Sequence, residues 1–233
     1  MIIAQGIEIK GKALWLNKSK TLVIADLHIG YEEALNKQGV LVPRMMFGEM
    51  KKELEELLRL KPKIIVVNGD LKHEFGEISK QEWFETLDIL DILMKKSEVV
   101  LIRGNHDTIL GPIAKKKGLK IKDYHVIDDI AIMHGNKIIE NKEIDKCKVI
   151  IIGHEHPAIS IREGVKSEIY KCFLKGKWKS KILMVMPSFF SVFEGSDVRK
   201  EKLLSPYLSN IRNFDVYVVG DEAYDFGKLR NIK

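Results

Sequence analysis

The chain has 233 residues, 45% of them hydrophobic and 31% charged, with a net charge of +6. That balance describes a folded chain with a sizeable core, expected as one domain over residues 1–233, and excludes a disordered one. The positive charge permits an anionic partner such as nucleic acid but does not require one. Cys147 and Cys172 are too few and too far apart for a disulfide framework or a zinc knuckle, and read as inert thiols of a reducing compartment. The opening "MIIAQGIEIKGK" lacks the basic and apolar regions of a signal peptide, and no apolar stretch has the length of a membrane span. A cytoplasmic location without a membrane partner is expected.

The first half alternates strand and helix. "TLVIAD" reads as a strand. Pro43 is expected to open a helix whose apolar residues Phe47, Met50, Leu54, Leu57 and Leu58 fall three and four apart, and Pro62 to end it. "KIIVVNGD" is the next strand. Ser79-Lys80-Gln81-Glu82 has the pattern of a capping box, and the helix it starts carries the stripe Trp83, Leu87, Leu90 and Met94. "EVVLIRGNHD" is the third strand. This order predicts parallel βαβ units. The second half holds short strands with little helix, among them "YHVIDDIAIMHG", "CKVIIIGHEHP", "SKILMVM" and "FDVYVVG". It predicts a largely antiparallel or mixed second sheet. The expected fold is α/β: a two-sheet sandwich flanked by helices.

The ends of these strands share a vocabulary. Asp26-Leu27-His28 follows one apolar run, Gly69-Asp70 another, and Gly104-Asn105-His106-Asp107 a third; His134-Gly135 and Gly153-His154-Glu155-His156 follow two more. In an extended chain residues i and i+2 share a face, so Asp26 and His28 would face one way, as would His154 and His156, with Glu155 turned aside. One such group reads as ordinary strand punctuation. But five of the seven histidines sit at these ends, and that regularity points to a common site. Asp26, His28, Asp70, Asn105, His134, His154 and His156 offer imidazole, carboxylate and amide oxygen, without thiolate. That set suits divalent transition metals: manganese, iron or zinc. Seven ligands are too many for one open catalytic ion and fit two ions sharing a carboxylate, as in two-metal phosphoryl hydrolases.

The blocks "ADLHIG", "NGDLKHEFG", "RGNHD", "MHG" and "IIGHEHP" together resemble the calcineurin-like metallophosphoesterase superfamily. Their longer forms are similar to a small stand-alone subfamily that includes the ligase-associated DNA damage response endonuclease. The resemblance covers the first two-thirds of the chain well; beyond residue 160 only "MPSFFSVFEGSDV" carries it. It implies the four-layer αββα fold. It also implies that Asp26, His28 and His156 bind a first metal, Asp70 bridges, and Asn105, His134 and His154 bind a second, with manganese foremost. It implies further that His106 protonates the leaving oxygen and that Asp107 orients His106. His73 matches a histidine of the DNA-repair branch and is a candidate substrate contact. Arg103 is placed to meet a substrate phosphate, or equally to serve as an ion-pair partner.

The expected activity is therefore in-line hydrolysis of a phosphodiester by a metal-bridging hydroxide, with DNA or RNA as substrate. A nucleotide phosphodiesterase, a phosphomonoesterase and a non-enzymatic scaffold are the alternatives. The scaffold is disfavoured because no ligand position is missing. One further run, "YKCFLKGKWKSK", sets Lys171, Lys175, Lys177, Lys179 and Lys181 around Phe173 and Trp178, with Gly176 as the expected hairpin turn. It could grip a nucleic-acid backbone, but protection of an exposed sheet edge is the preferred reading.

Overall fold

Each strand in the middle of the protein buries both faces, which is why its sequence is a continuous apolar run and not an alternating one. The computed structural model describes residues 1–40, 45–76, 78–164, 166–191 and 195–232. The first sheet orders its strands as in the sequence: β1 (Ile2–Ala4), β2 (Ile7–Lys10), β3 (Ala13–Leu16), β4 (Thr21–Ile24), β5 (Ile64–Asn68), β6 (Glu98–Ile102) and β7 (Ile121–Lys122). Strands β1 to β4 are antiparallel neighbours; β4 to β7 are parallel. Helices α1 (Tyr31–Lys37), α2 (Met46–Leu58), α3 (Lys80–Met94) and α4 (Gly111–Lys116) lie in the crossovers. Helix α2 buries Met50, Leu54 and Leu57; the start expected at Pro43 lies outside the described residues. Ser79 caps α3, its hydroxyl accepting from Glu82 N at 3.0 Å.

The second sheet is built from β8 (Tyr124–Ile127), β9 (Ile130–Met133), β10 (Val149–Ile152), β11 (Pro157–Glu163), β12 (Lys166–Trp178), β13 (Lys181–Val185), β14 (Ser196–Asp197), β15 (Asp215–Val219) and β16 (Ala223–Lys228). Its main path runs β14-β11-β12-β13-β10-β9-β8, and β15 joins β12 to β16. Strands β9, β10 and β13 are parallel; the rest is mostly antiparallel. The expected two-sheet sandwich is therefore present, with a mixed second sheet.

Alternation sorts the buried residues into layers. Val23, Val66, Val100 and Ile102 from the first sheet meet Ile132, Ile151, Met184 and Phe173 from the second. Leu22, Ile24, Ile65, Val67 and Leu101 face the helices α1 to α4. The outer face of the second sheet is covered differently. Helix α5 (Lys142–Lys146) has one buried residue, Ile144, and the rest of the cover comes from Tyr207, Leu208, Ile211 and Phe214 outside any helix. The fourth layer is thus thin. No helix among the described residues is long and apolar enough to cross a membrane.

The lysine-rich run departs from expectation. Gly176 is not a turn: it lies within β12, and a Cβ there would overlap the Phe214 ring. The chain reverses at Lys179–Ser180 instead. Nor is β12 an edge, since β11, β13 and β15 all pair with it. Lys171 donates to Ser188 O, Lys175 to Ile3 O and the Tyr217 hydroxyl, and Lys181 to Asp145 O, so three of the five lysines serve the fold.

Candidate metal centre

The carboxyl ends of β4, β5, β6, β9 and β10 open together, and the polar groups that follow them converge there. They do not stay extended. Among the described residues nine non-glycine residues have positive φ, and five are Asp26 (55°), His28 (45°), Asp70 (42°), His154 (66°) and His156 (48°). Asp26 and His28, like His154 and His156, therefore converge through left-handed backbone and not by sharing a strand face as expected: β4 ends at Ile24 and β10 at Ile152, before either motif. Alternate left-handed residues swing Asp26 and His28 inward while Leu27 stays wholly in the core. Glu155, between the two histidines, is buried and accepts from Leu204 N at 2.9 Å and Ser205 N at 2.8 Å.

A left-handed L-residue costs roughly 1–2 kcal/mol, so neighbours must hold each one. His28 N donates to Asp70 O at 2.9 Å and Asp26 N to Gly69 O at 3.2 Å, which zips the first two loops together. The Ser188 hydroxyl donates to Asp26 O at 2.8 Å. His106 N donates to Asp70 Oδ1 at 2.8 Å, and His154 N to Asp26 Oδ2 at 3.0 Å. Two glycines permit the approach. A Cβ on Gly69 would overlap His134, and one on Gly104 would overlap Asp70.

Potential ligand atoms of Asp26, His28 and His156 all lie within 4.8 Å of one another, as do those of Asp70, His134 and His154. Asp70 Oδ2 reaches both groups: it is 3.3 Å from His134 Nε2 and 3.9 Å from His28 Nε2. Asn105 Oδ1 lies 2.9 Å from His134 Nε2. A third group, His28, His73 and His106, has the same spacing but no carboxylate. The first two groups fit a cation on two counts. Asp26 Oδ1 is buried with no hydrogen-bond partner among the described residues, although His134 Nδ1 and His156 Nε2 stand 3.5 and 3.6 Å away. His28 Nε2 and His156 Nε2 face each other at 3.2 Å. Buried carboxylates and imidazoles left in this state are costly unless something positive lies among them.

The charges agree. Burial, reinforced by the charge of His156, holds His28 well below its ordinary value, and burial with His134 lowers His154 to about 4. Both are neutral and ready to ligate. Burial opposes charging His134 too, but its bond to Asp70 and the charges of Asp26 and Asp70 win and raise it to about 9. Asp70 is lowered: burial works against this, and the contact with His134 outweighs it. Apoprotein at pH 7.5 therefore carries a proton on this pair, and a metal must displace it. Loading should release about one proton per chain, measured by calorimetry in buffers of different ionisation enthalpy. Metal affinity should rise with pH up to about 9 and then level off, following His134. Loading without proton release would refute the protonated pair. The same pair stabilises the apoprotein fully below the ordinary imidazole value, and that stabilisation is lost as pH rises through about 9.

The other expected site residues divide. Asp107 is buried, and its carboxylate accepts from Gly104 N at 2.9 Å and Leu71 N at 3.1 Å, so it ties the Asp70 loop to the Asn105 loop. Burial and the charge of Asp70 push it up to about 6. The ring of His106 meets a different partner, the carbonyl of His73, through Nδ1. His106 Nε2 faces Asp70 Oδ2 at 3.9 Å. His73 Nδ1 lies 3.4 Å from His28 Nδ1, which puts His73 at the centre's rim. Arg103 is exposed, and its backbone N donates to Lys122 O at 2.8 Å beside β7. Glu82, which no sequence pattern marks as a site residue, is wholly buried and accepts from His73 N at 2.9 Å and Glu74 N at 3.1 Å. The capping pattern accounted for it fully, so its second task was hidden. A depression of about 600 Å³ lies at the opposite end of the first sheet, beside Lys63 and Ser97, and none of the possible metal-ligand groups among the described residues lies in it.

Residues 19–223 match the family model described as calcineurin-like phosphoesterase. The chain belongs to that family. Membership makes it a metal-dependent phosphoesterase. This phosphoesterase is similar in structure to the Pseudomonas putida nuclease MPE, with a TM-score of 0.67 and 19% identity over 92% of each chain. It is more distantly similar to Yfce, a phosphoesterase from E. coli, with a TM-score of 0.43 and 12% identity over 86% of this chain and 88% of that one. Vacuolar Protein Sorting 29 from Cryptosporidium parvum gives 0.41 and 16% over 89% and 97%. None of the curated protein sequences compared with this phosphoesterase matches it.

Proposed function

We propose that this phosphoesterase is a phosphodiesterase that cleaves DNA or RNA, and that residues 1–233 act as one domain. The observation that carries the reading is Asp70, whose Oδ2 reaches both ligand groups. Asp26, His28 and His156 would hold one divalent transition-metal ion, Asn105, His134 and His154 a second, and Asp70 would bridge them. Manganese suits this nitrogen and oxygen set, with iron or zinc as the other choices. When bound, such ions supply Lewis-acid polarisation of the phosphoryl group and a nucleophile at neutral pH.

The chain's own residues do the rest. The His73 carbonyl can only accept, so His106 Nδ1 must carry a hydrogen and Nε2 is the nitrogen that gains or loses a proton. That nitrogen faces the centre and can protonate a departing oxygen. Asp107 acts on His106 through the backbone, by fixing the loop that carries it. His73 is placed to touch the substrate. Nucleic acid is favoured by the likeness to a nuclease, by the resemblance of the motifs to the ligase-associated endonuclease, and by the net charge of +6.

The test is a substrate panel with manganese-loaded protein. Bis-p-nitrophenyl phosphate should turn over faster than p-nitrophenyl phosphate, and DNA or RNA should be cut. Log affinity for single strands should fall linearly with log salt, by about 0.7 per phosphate contact. Metallated protein that hydrolyses small esters, but neither binds nor cuts any nucleic acid, would move the reading to a nucleotide phosphodiesterase or a phosphomonoesterase.

A further inference from the structure

Aromatic side chains crowd the imidazoles of the metal centre. Tyr31, the first residue of α1, meets His73 with ring centroids 4.5 Å apart at 64°, and Phe190 at 5.6 Å and 88°. Phe75 lies on His106, centroids 3.7 Å apart, and is 52% exposed. A cavity of about 170 Å³ opens here, lined by His28, Tyr31, His73, His106, His156 and Phe190. Two of those six side chains are hydrocarbon-rich rings, and none is charged by carboxylate, guanidinium or ammonium. The space is too small for a whole drug-sized ligand and admits part of one. It also adjoins His28 and His156, so whatever enters must be joined to the phosphate held at the centre.

A phosphatase for small polar esters has no use for such a wall. A substrate whose phosphate carries a flat, uncharged ring does. We infer that this cavity is a nucleobase-stacking subsite, in which Tyr31 is the platform for the base of the nucleotide that retains the phosphate. The inference rests on the phosphodiesterase reading and adds to it which side chain receives a base, and that the base is the one on the nucleotide that keeps the phosphate. Phe190 is core, and it and His73 each pack edge-on against Tyr31, which holds the Tyr31 ring in place at the wall of the cavity. Stacking of a base on an aromatic side chain corresponds to roughly 5- to 150-fold in binding.

Two diesters with one leaving group isolate this contact: thymidine 5′-(p-nitrophenyl phosphate) and methyl p-nitrophenyl phosphate, both with manganese-loaded protein. The expected wild-type kcat/KM ratio favours the nucleoside ester by about tenfold or more, mainly through KM. Tyr31→Leu should bring the ratio close to one, and Tyr31→Phe should keep it. Tyr31→Leu that slows both esters equally would show a merely structural role and overturn the inference, as would a wild-type ratio near one. If metallated wild-type protein hydrolyses neither ester, the phosphodiesterase reading itself fails, and this inference with it.

Discussion

Asp70→Asn should leave a folded protein that holds one metal ion or none and turns nothing over. The substitution is mild everywhere except in charge. Asparagine tolerates the left-handed backbone that Asp70 adopts at φ 42°, and its carbonyl can still accept from His106 N. What is lost is a carboxylate oxygen that reaches both ligand groups, 3.3 Å from His134 Nε2 and 3.9 Å from His28 Nε2. An amide is a far weaker bridging ligand for divalent cations, and its NH2 group would meet them with the wrong polarity. Elemental analysis after manganese loading and desalting should give two ions per wild-type chain. Two retained ions and measurable turnover in the variant would remove Asp70 from the bridge.

His106→Ala should keep both ions and still lose roughly 10²- to 10⁴-fold in rate on a substrate with a poor leaving group. The ring is fixed at Nδ1 by the His73 carbonyl and presents Nε2 to the centre, so it can give up one proton in one direction. A nitrophenolate departs without needing that proton. The loss on bis-p-nitrophenyl phosphate should therefore be much smaller than on an alkyl diester or a dinucleotide. Equal losses on both would mean that His106 positions the phosphate and does not protonate the leaving group.

Much of this was legible in the sequence because burial and metal chemistry both restrict residue type. Runs such as "IIVVN" and "VIII" are apolar at every position because β5 and β10 are covered on both faces, and the pattern needs no tertiary information. The ligand types were equally plain, since Asp, Asn and His at five strand ends have few other reasons to recur. Backbone conformation was not legible. Left-handed Asp26, His28, His154 and His156 follow from contacts between loops far apart in the chain, such as His28 N to Asp70 O. Gly176 was misread for a similar reason: a glycine that makes a turn and one that makes room for Phe214 look alike until Phe214 is in place. The cover over the second sheet was not legible for the opposite reason: Tyr207, Leu208, Ile211 and Phe214 are buried at spacings a helix would also give, yet they lie outside any helix.

Asp26, Asp70 and Asn105 come from loops of the first sheet, whereas His134, His154 and His156 come from the second. The centre thus straddles the seam between two halves that meet through hydrocarbon in the interior and are tied at this edge by a few hydrogen bonds, among them the Ser188 hydroxyl to Asp26 O and His154 N to Asp26 Oδ2. Ions bound there would rivet the seam. Each site at a free-metal concentration of 100 times its Kd adds about 2.7 kcal/mol against separation of the sheets. A chelator would then act as a mechanical reagent, loosening the sandwich from its catalytic edge inward. Amide exchange in β4 and β10 would report it as surely as any assay of hydrolysis.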